Sequence, residues 1–281
     1  MGHATSILLS RLCLILLNLL FFAGTPQALA GDAIRINGSG SGLEMMKPLI
    51  EGYGKASRGV TFIMEKPLGS SGAIKALLAG AIDIAVTSKP LKPEEIARGG
   101  KLRYFGKTPL AIVTEKNVPL KTISIKELED IYSGKTTKWP NGETIRIVLR
   151  PNEDIDTHIL KGLSPGMAEA VTKAQRRQGM IIAVTDPESN DMVAKTAGSI
   201  GASGLTGVIV GKEPLHVLAL DGVMPSRKAL AGGTYPLAKN INFVTTGKLP
   251  HAAAKFLAFI YSNKGRAIAE KAGVLITADG K

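Results

Sequence analysis

The sequence predicts an α/β protein built on largely parallel sheets. Three observations carry that expectation. Short apolar, β-branched runs alternate along the chain with helix-length amphipathic stretches, the pattern of successive βα units. Strands repeatedly deliver the chain into a small, polar or glycine-bearing loop from which a helix starts at once. No internal repeat, heptad pattern or low-complexity tract points to another architecture.

The elements follow in order. Residues 33–36 read as a short strand that runs into Gly38-Ser39-Gly40-Ser41-Gly42. A helix is expected from about 43 to 55, with Pro48 as a blemish because an interior proline removes one helical hydrogen bond. Residues 60–64 form a second strand. Gly69-Ser70-Ser71-Gly72 opens a helix over 73–79 that Gly80 ends. Residues 82–87 are apolar and β-branched enough for a buried strand. Ser124-Ile125-Lys126-Glu127 is a capping box for a helix through Tyr132, closed at Gly134. Residues 145–149 are another apolar strand. Asp186-Pro187 supplies an N-cap and a first-turn proline for a helix near 187–196. A strand over 217–220 turns at Asp221-Gly222, and two amphipathic helices, near 250–262 and 264–272, close the chain.

Composition bounds the function. The chain has 281 residues with 35 Lys+Arg against 23 Asp+Glu, a net charge of +12, and 44% hydrophobic residues. Apolar content of that size excludes an intrinsically disordered chain. A single cysteine, Cys13, excludes an internal disulfide and a multi-cysteine zinc site. The basic balance points to an anionic partner: nucleic acid, a membrane surface or a small oxyanion. Residues 1–30 have the order of a secretory signal peptide. Arg11 precedes an apolar run over 12–23, Pro26 breaks it, and Ala28-Leu29-Ala30 places small residues before a cleavage point after Ala30. The run is shorter than the ~20 residues that span a bilayer core. Cleavage would discard Cys13 and lower the charge only from +12 to +11, because Arg11 is the segment's only charged side chain. An exported, periplasmic protein is expected.

The recurring strand–loop–helix design points to anion binding. A helix start presents unpaired N–H groups and the positive end of the helix dipole. Glycine lets a ligand approach the backbone, and serine or threonine hydroxyls add donors. Such loops occur at 38–42, 69–72 and 152–157. Each alone is an ordinary N-cap; together they form a candidate convergent site. Arg150 ends the strand at 145–149, at the sheet's carboxyl edge, where open α/β sheets bind ligands. An arginine there can grip an oxyanion with two parallel hydrogen bonds.

These segments resemble a known family. Gly69-Ser70-Ser71-Gly72, followed by Gly80, Asp83 and Ser88-Lys89-Pro90-Leu91, is similar to the first-lobe pattern of the phosphate-type periplasmic solute-binding proteins of ABC importers. Residues 124–134 with Lys135-Thr136-Thr137-Lys138-Trp139 resemble that family's S-L-x-x-L-x-x-I-F/Y-S-G-K-x-x-x-W stretch, and 196–201 its T-P-G-A-I-G turn. The matches cover most of residues 32–281. The resemblance implies a two-lobed clamshell of the type II binding-protein fold. Each lobe would be a mixed, mainly parallel sheet flanked by helices, with lobe 1 at 32–114 plus 224–281 and lobe 2 at 115–223. It further implies a monomer that captures an oxyanion, phosphate first, between the lobes and docks on a membrane permease. No catalysis, cofactor or metal is implied. The implied ligand contacts are Ser39, Gly40 and Ser41; Ser70, Ser71 and Gly72; and Arg150, as the only full positive charge, with Thr157. Two positions depart from the family. Ser88 stands where phosphate binders commonly carry an aspartate that accepts the ligand's proton. Asp154-Ile155-Asp156-Thr157 stands where they show Ser-Gly-Thr. Asp154 or Asp156 would then pair with Arg150, replace the missing acceptor, or serve only as helix N-terminal acids.

Competing readings are weaker. The histidines past residue 30, His158, His216 and His251, have no metal-ligand spacing, and no G-x-S-x-G elbow or Walker loop occurs, so a secreted hydrolase is the least supported. Lysines are dispersed, with Arg176-Arg177 the only adjacent arginine pair, which disfavours nucleic acid. Trp139 and Tyr132 read as packing residues. Another oxyanion (sulfate, molybdate or tungstate) or a role as ligand-sensing partner of a membrane receptor keeps the same fold.

Overall fold

The computed structural model of the protein describes residues 33–55, 57, 59–211 and 213–277. The expected signal peptide lies outside them. Among the described residues no helix is long and apolar enough to cross a membrane.

The first half-structure is β1 (Ala33–Gly38), α1 (Gly40–Gly54), β2 (Thr61–Met64), α2 (Gly69–Leu78), β3 (Ile84–Thr87) and α3 (Pro93–Ala97). Strand β1 pairs in parallel with both β2 and β3, as βαβ units require. Its core gathers Ile34, Ile36, Met45, Met46, Leu49, Phe243, Phe256 and Ile260. The second is β5 (Thr122–Ile123), α4 (Ile125–Ser133), β6 (Arg146–Leu149), α5 (Ile155–Lys161), α6 (Pro165–Arg176), β7 (Ile181–Ile182), α7 (Asp186–Lys195), β8 (Ser199–Gly204), α8 (Leu205–Gly211), β9 (Leu215–Val217), β10 (Ala219–Leu220) and α9 (Arg227–Ala231). Strand β6 is parallel to β7 and β8, and β5 to β10. Tyr132 and Trp139 sit inside this second core, where the Trp139 indole N–H donates to the Gly198 carbonyl at 2.9 Å.

Two long strands, β4 (Lys101–Glu115) and β11 (Ala238–Thr245), join the halves into one sheet of order β2-β1-β3-β11-β4-β8-β6-β7. Strand β4 pairs antiparallel with β11 up to Pro109, then with β8 from Leu110 onward. The chain therefore changes halves at 109/110 and returns at 237/238. Residues 224–237, expected in lobe 1, instead pack with the second core through Leu230, Tyr235 and Leu237. Neither crossing strand was legible from sequence. Pro109 cannot donate to a ladder and argues against a strand, and Gly106 interrupts the apolar pattern. Gly106 is required there, because a Cβ would lie 2.5 Å from the Leu275 carbonyl oxygen. Helices α10 (His251–Tyr261) and α11 (Asn263–Lys271) return to cover the first core.

Helix starts are displaced from expectation where the loops matter. Helix α1 begins at Gly40, not 43, with Ser39 as N-cap, and α2 begins at Gly69, so its Gly-Ser segment is a first turn rather than a loop. Helix α7 is capped by Thr185 in a box with Glu188, which releases Asp186 from the capping role the sequence assigns it.

Candidate functional site

A cavity of about 190 Å³ lies between the two halves, bounded by the N-terminal ends of α1, α2, α5 and α7 and by the hinge strand β11. Of the expected contacts, Ser39, Gly40, Ser70, Ser71, Arg150 and Asp154 line it; Ser41, Gly72, Ser88, Asp156 and Thr157 do not. Glu153, from the expected 152–157 loop, also lines it, as do Lys89, Asp186 and Lys239, which no expected loop contains.

The α1 side is built first. Ser39 Oγ accepts from the Gly42 N–H, so the hydroxyl is spent on capping. Ser88 is buried and its hydroxyl donates to Ser39 Oγ at 3.3 Å, while its N–H donates to Ser70 Oγ at 3.0 Å. Ser88 therefore stitches the two loops together rather than facing the cavity. Ser71 Oγ accepts from Lys89 Nζ. Helix α2 has no side-chain cap: Leu68 occupies that position and its side chain offers no acceptor. The first N–H groups of α2 are left for the cavity.

The opposite wall holds a buried ionic cluster. Asp154 caps α5, accepting from the Asp156 N–H at 2.9 Å, and also accepts from Arg150 Nη2 at 2.8 Å. Asp156 instead faces Lys239, with Nζ 2.7 Å from Asp156 Oδ1. The pairing that the sequence left open is thus divided: Asp154 with Arg150, Asp156 with Lys239. The Thr157 hydroxyl is turned into its own loop, where it donates to the Pro151 carbonyl at 2.9 Å. Arg150 is 5% exposed, and its fork is not presented to the cavity as a bidentate clamp. Nη1 donates to the Ala183 carbonyl at 3.0 Å and Nη2 is taken by Asp154, which leaves Nε without a partner. Nor is Arg150 the only cation. Lys89 lines the cavity as well, and Lys239, 1% exposed on β11, is the second buried one. It lies in a strand interior, where period-2 alternation with Ile241 and Phe243 turns it inward.

Asp186 completes the cluster. Its Oδ1 accepts from Ser41 Oγ at 2.5 Å and from Lys239 Nζ at 2.6 Å; its Oδ2 accepts from the Gly40 N–H at 3.1 Å and stands 3.6 Å from Arg150 Nη2. Burial opposes its charge, but Lys239, Arg150 and the Ser41 hydroxyl outweigh burial and hold it far below the ordinary carboxylate range. Asp156 goes the other way. Burial, with Asp186 and Asp154 nearby, raises it to about 7 despite Lys239. Gly40 is required by this contact, since a Cβ there would lie 2.6 Å from Asp186 Cβ. Helix α1 thus does hold an anion at its N-terminus, and the anion is a carboxylate of the same chain.

His158, beside Thr157, is exposed and does not line the cavity. Among the described residues no cluster of His, Cys, Asp and Glu could hold a metal ion.

The profile of the PBP superfamily domain matches residues 23–264. The chain belongs to the PBP superfamily. The phosphate-binding protein PstS of Borreliella burgdorferi is 25% identical over 250 residues, spanning 86% of this chain and 89% of that one. An X-ray structure from Clostridium perfringens with bound phosphate, described as a phosphate ABC transporter substrate-binding protein, superposes with a TM-score of 0.74 at 23% identity, covering 88% of this chain and all of the other. A phosphate-binding protein from Stenotrophomonas maltophilia gives 0.63 at 14% identity, over 87% and 91% of the two chains. The superpositions show the two-lobed α/β clamshell fold that was expected, and the profile match shows the superfamily to which the expected family belongs.

Proposed function

We propose that this protein is a non-enzymatic, monomeric, extracytoplasmic solute-binding protein. It captures a small oxyanion, phosphate first, between its halves and delivers it to an ABC-type membrane permease. The observation that carries the reading is the cradle itself. A helix N-terminal N–H, a serine hydroxyl and two buried cations converge on one anionic group, inside a fold whose relatives are named phosphate-binding proteins.

Selectivity for phosphate is supported from an unexpected side. Ser88 does not line the cavity, but the Asp154 carboxylate does. An ionised carboxylate can only accept, so it favours a ligand that carries a proton. Monohydrogen phosphate has one and sulfate does not.

Calorimetry with phosphate, sulfate and molybdate tests the reading, on the wild type and on Arg150→Ala. Phosphate should give the tightest binding, and Arg150→Ala should weaken it by about 2–5 kcal/mol, the range for unpairing buried charge. Absence of oxyanion binding in the wild type, or unchanged affinity in Arg150→Ala, would sink the assignment.

A further inference from the structure

The contacts that an oxyanion would make at the N-terminus of α1 are already made by Asp186. Its two carboxylate oxygens take the Gly40 N–H, the Ser41 hydroxyl and Lys239 Nζ, with Arg150 Nη2 beside them. Donor and acceptor come from opposite halves of the molecule: Gly40 and Ser41 open α1, whereas Asp186 opens α7. Lys239 belongs to the hinge strand. The contact therefore spans the cleft at its base. Beside it the cavity remains open toward α2, whose start is uncapped, and Arg150, whose buried Nε has no partner, is among its lining residues.

Asp154 pairs with Arg150, and Asp156 and Asp186 both face Lys239. An incoming dianion therefore meets a carboxylate already seated on the donors it requires.

We propose that Asp186 is an internal competitor for the oxyanion: it occupies the ligand's place on α1, holds the halves closed without ligand, and must withdraw for an oxyanion to take full possession of the site. This rests on the reading of the cleft as an oxyanion site. A binding-competent state that is populated only in part reduces the apparent affinity by that fraction. Removing the competitor restores it.

The test uses the full mature chain as wild type, Asp186→Asn and Ser41→Ala, with small-angle X-ray scattering and phosphate calorimetry. Wild type should be compact with and without phosphate. Asp186→Asn should be expanded without phosphate, contract when it is added, and bind it at least tenfold more tightly. Ser41→Ala loses one latch bond without changing charge or adding bulk and should expand part of the way, which keeps the test alive if Asp186→Asn misfolds. An expanded phosphate-free wild type, or an Asp186→Asn variant as compact as wild type, overturns the latch. Wild-type binding that Asp186→Asn does not tighten overturns the competition. If neither protein binds phosphate, sulfate or molybdate, the oxyanion reading fails, and phosphate-free scattering still decides the latch.

Discussion

Lys239 Nζ stands 2.6 Å from Asp186 Oδ1, tying the hinge strand β11 to the first turn of α7 with both side chains out of contact with water. The same ammonium reaches Asp156 at 2.7 Å, so one lysine serves two carboxylates. Such an arrangement is stable only while the cation is present, because desolvation penalises every charge left alone.

Lys239→Met should therefore destabilise the protein by about 3–5 kcal/mol, the range for breaking a buried ion pair from one side. Urea unfolding at pH 7 measures it. The loss should shrink at lower pH, as protonation neutralises one of the stranded acids. A loss that stays constant from pH 5 to 8 would mean that the lysine stem, not its charge, holds the contact.

The elevated Asp156 carboxyl gives the fold a definite pH dependence. The native carboxyl keeps its proton up to about pH 7, whereas the unfolded chain releases it near 3.8. Between those values the folded state binds more protons, so this group's contribution declines as pH rises. Asp186, held low, has the opposite sign, but its window lies below the unfolded value. Asp156→Asn should abolish the decline. Relative to the variant, wild type should lose stability on the order of 2–4 kcal/mol from pH 4 to 8. Paired thermal melts across that range check it; parallel curves would count against a buried, protonated Asp156.

How much of this was legible beforehand differs by residue. The βα alternation and the capping box at Ser124 are local patterns; the box appears where the residues placed it, and the alternation does so with helix starts shifted by a few residues. Arg150 and the three helix starts were found because strand-to-helix transitions mark sheet edges. Asp186 and Lys239 were not. Asp186 looked like an N-cap next to Pro187, and only the tertiary fold shows that Thr185 does the capping. Lys239 sits in a strand that pairs across the hinge, with partners more than a hundred residues away in sequence. Whether a charged side chain is buried with opposite charges is a property of that long-range pairing, and no spacing in the chain encodes it.

The last prediction concerns selectivity at Asp154. This carboxylate lines the cavity, caps α5 and accepts from Arg150. Asparagine caps a helix about as well as aspartate, so Asp154→Asn should fold. Its amide, however, donates as well as accepts, and it no longer demands a proton from the ligand. Phosphate binding should weaken and sulfate binding should strengthen, so that the phosphate-to-sulfate affinity ratio falls about tenfold, the equivalent of about 1.4 kcal/mol and of one charged-group hydrogen bond. Competition calorimetry of both anions on wild type and variant reads the ratio directly. An unchanged ratio would mean that Asp154 does not read the ligand's proton.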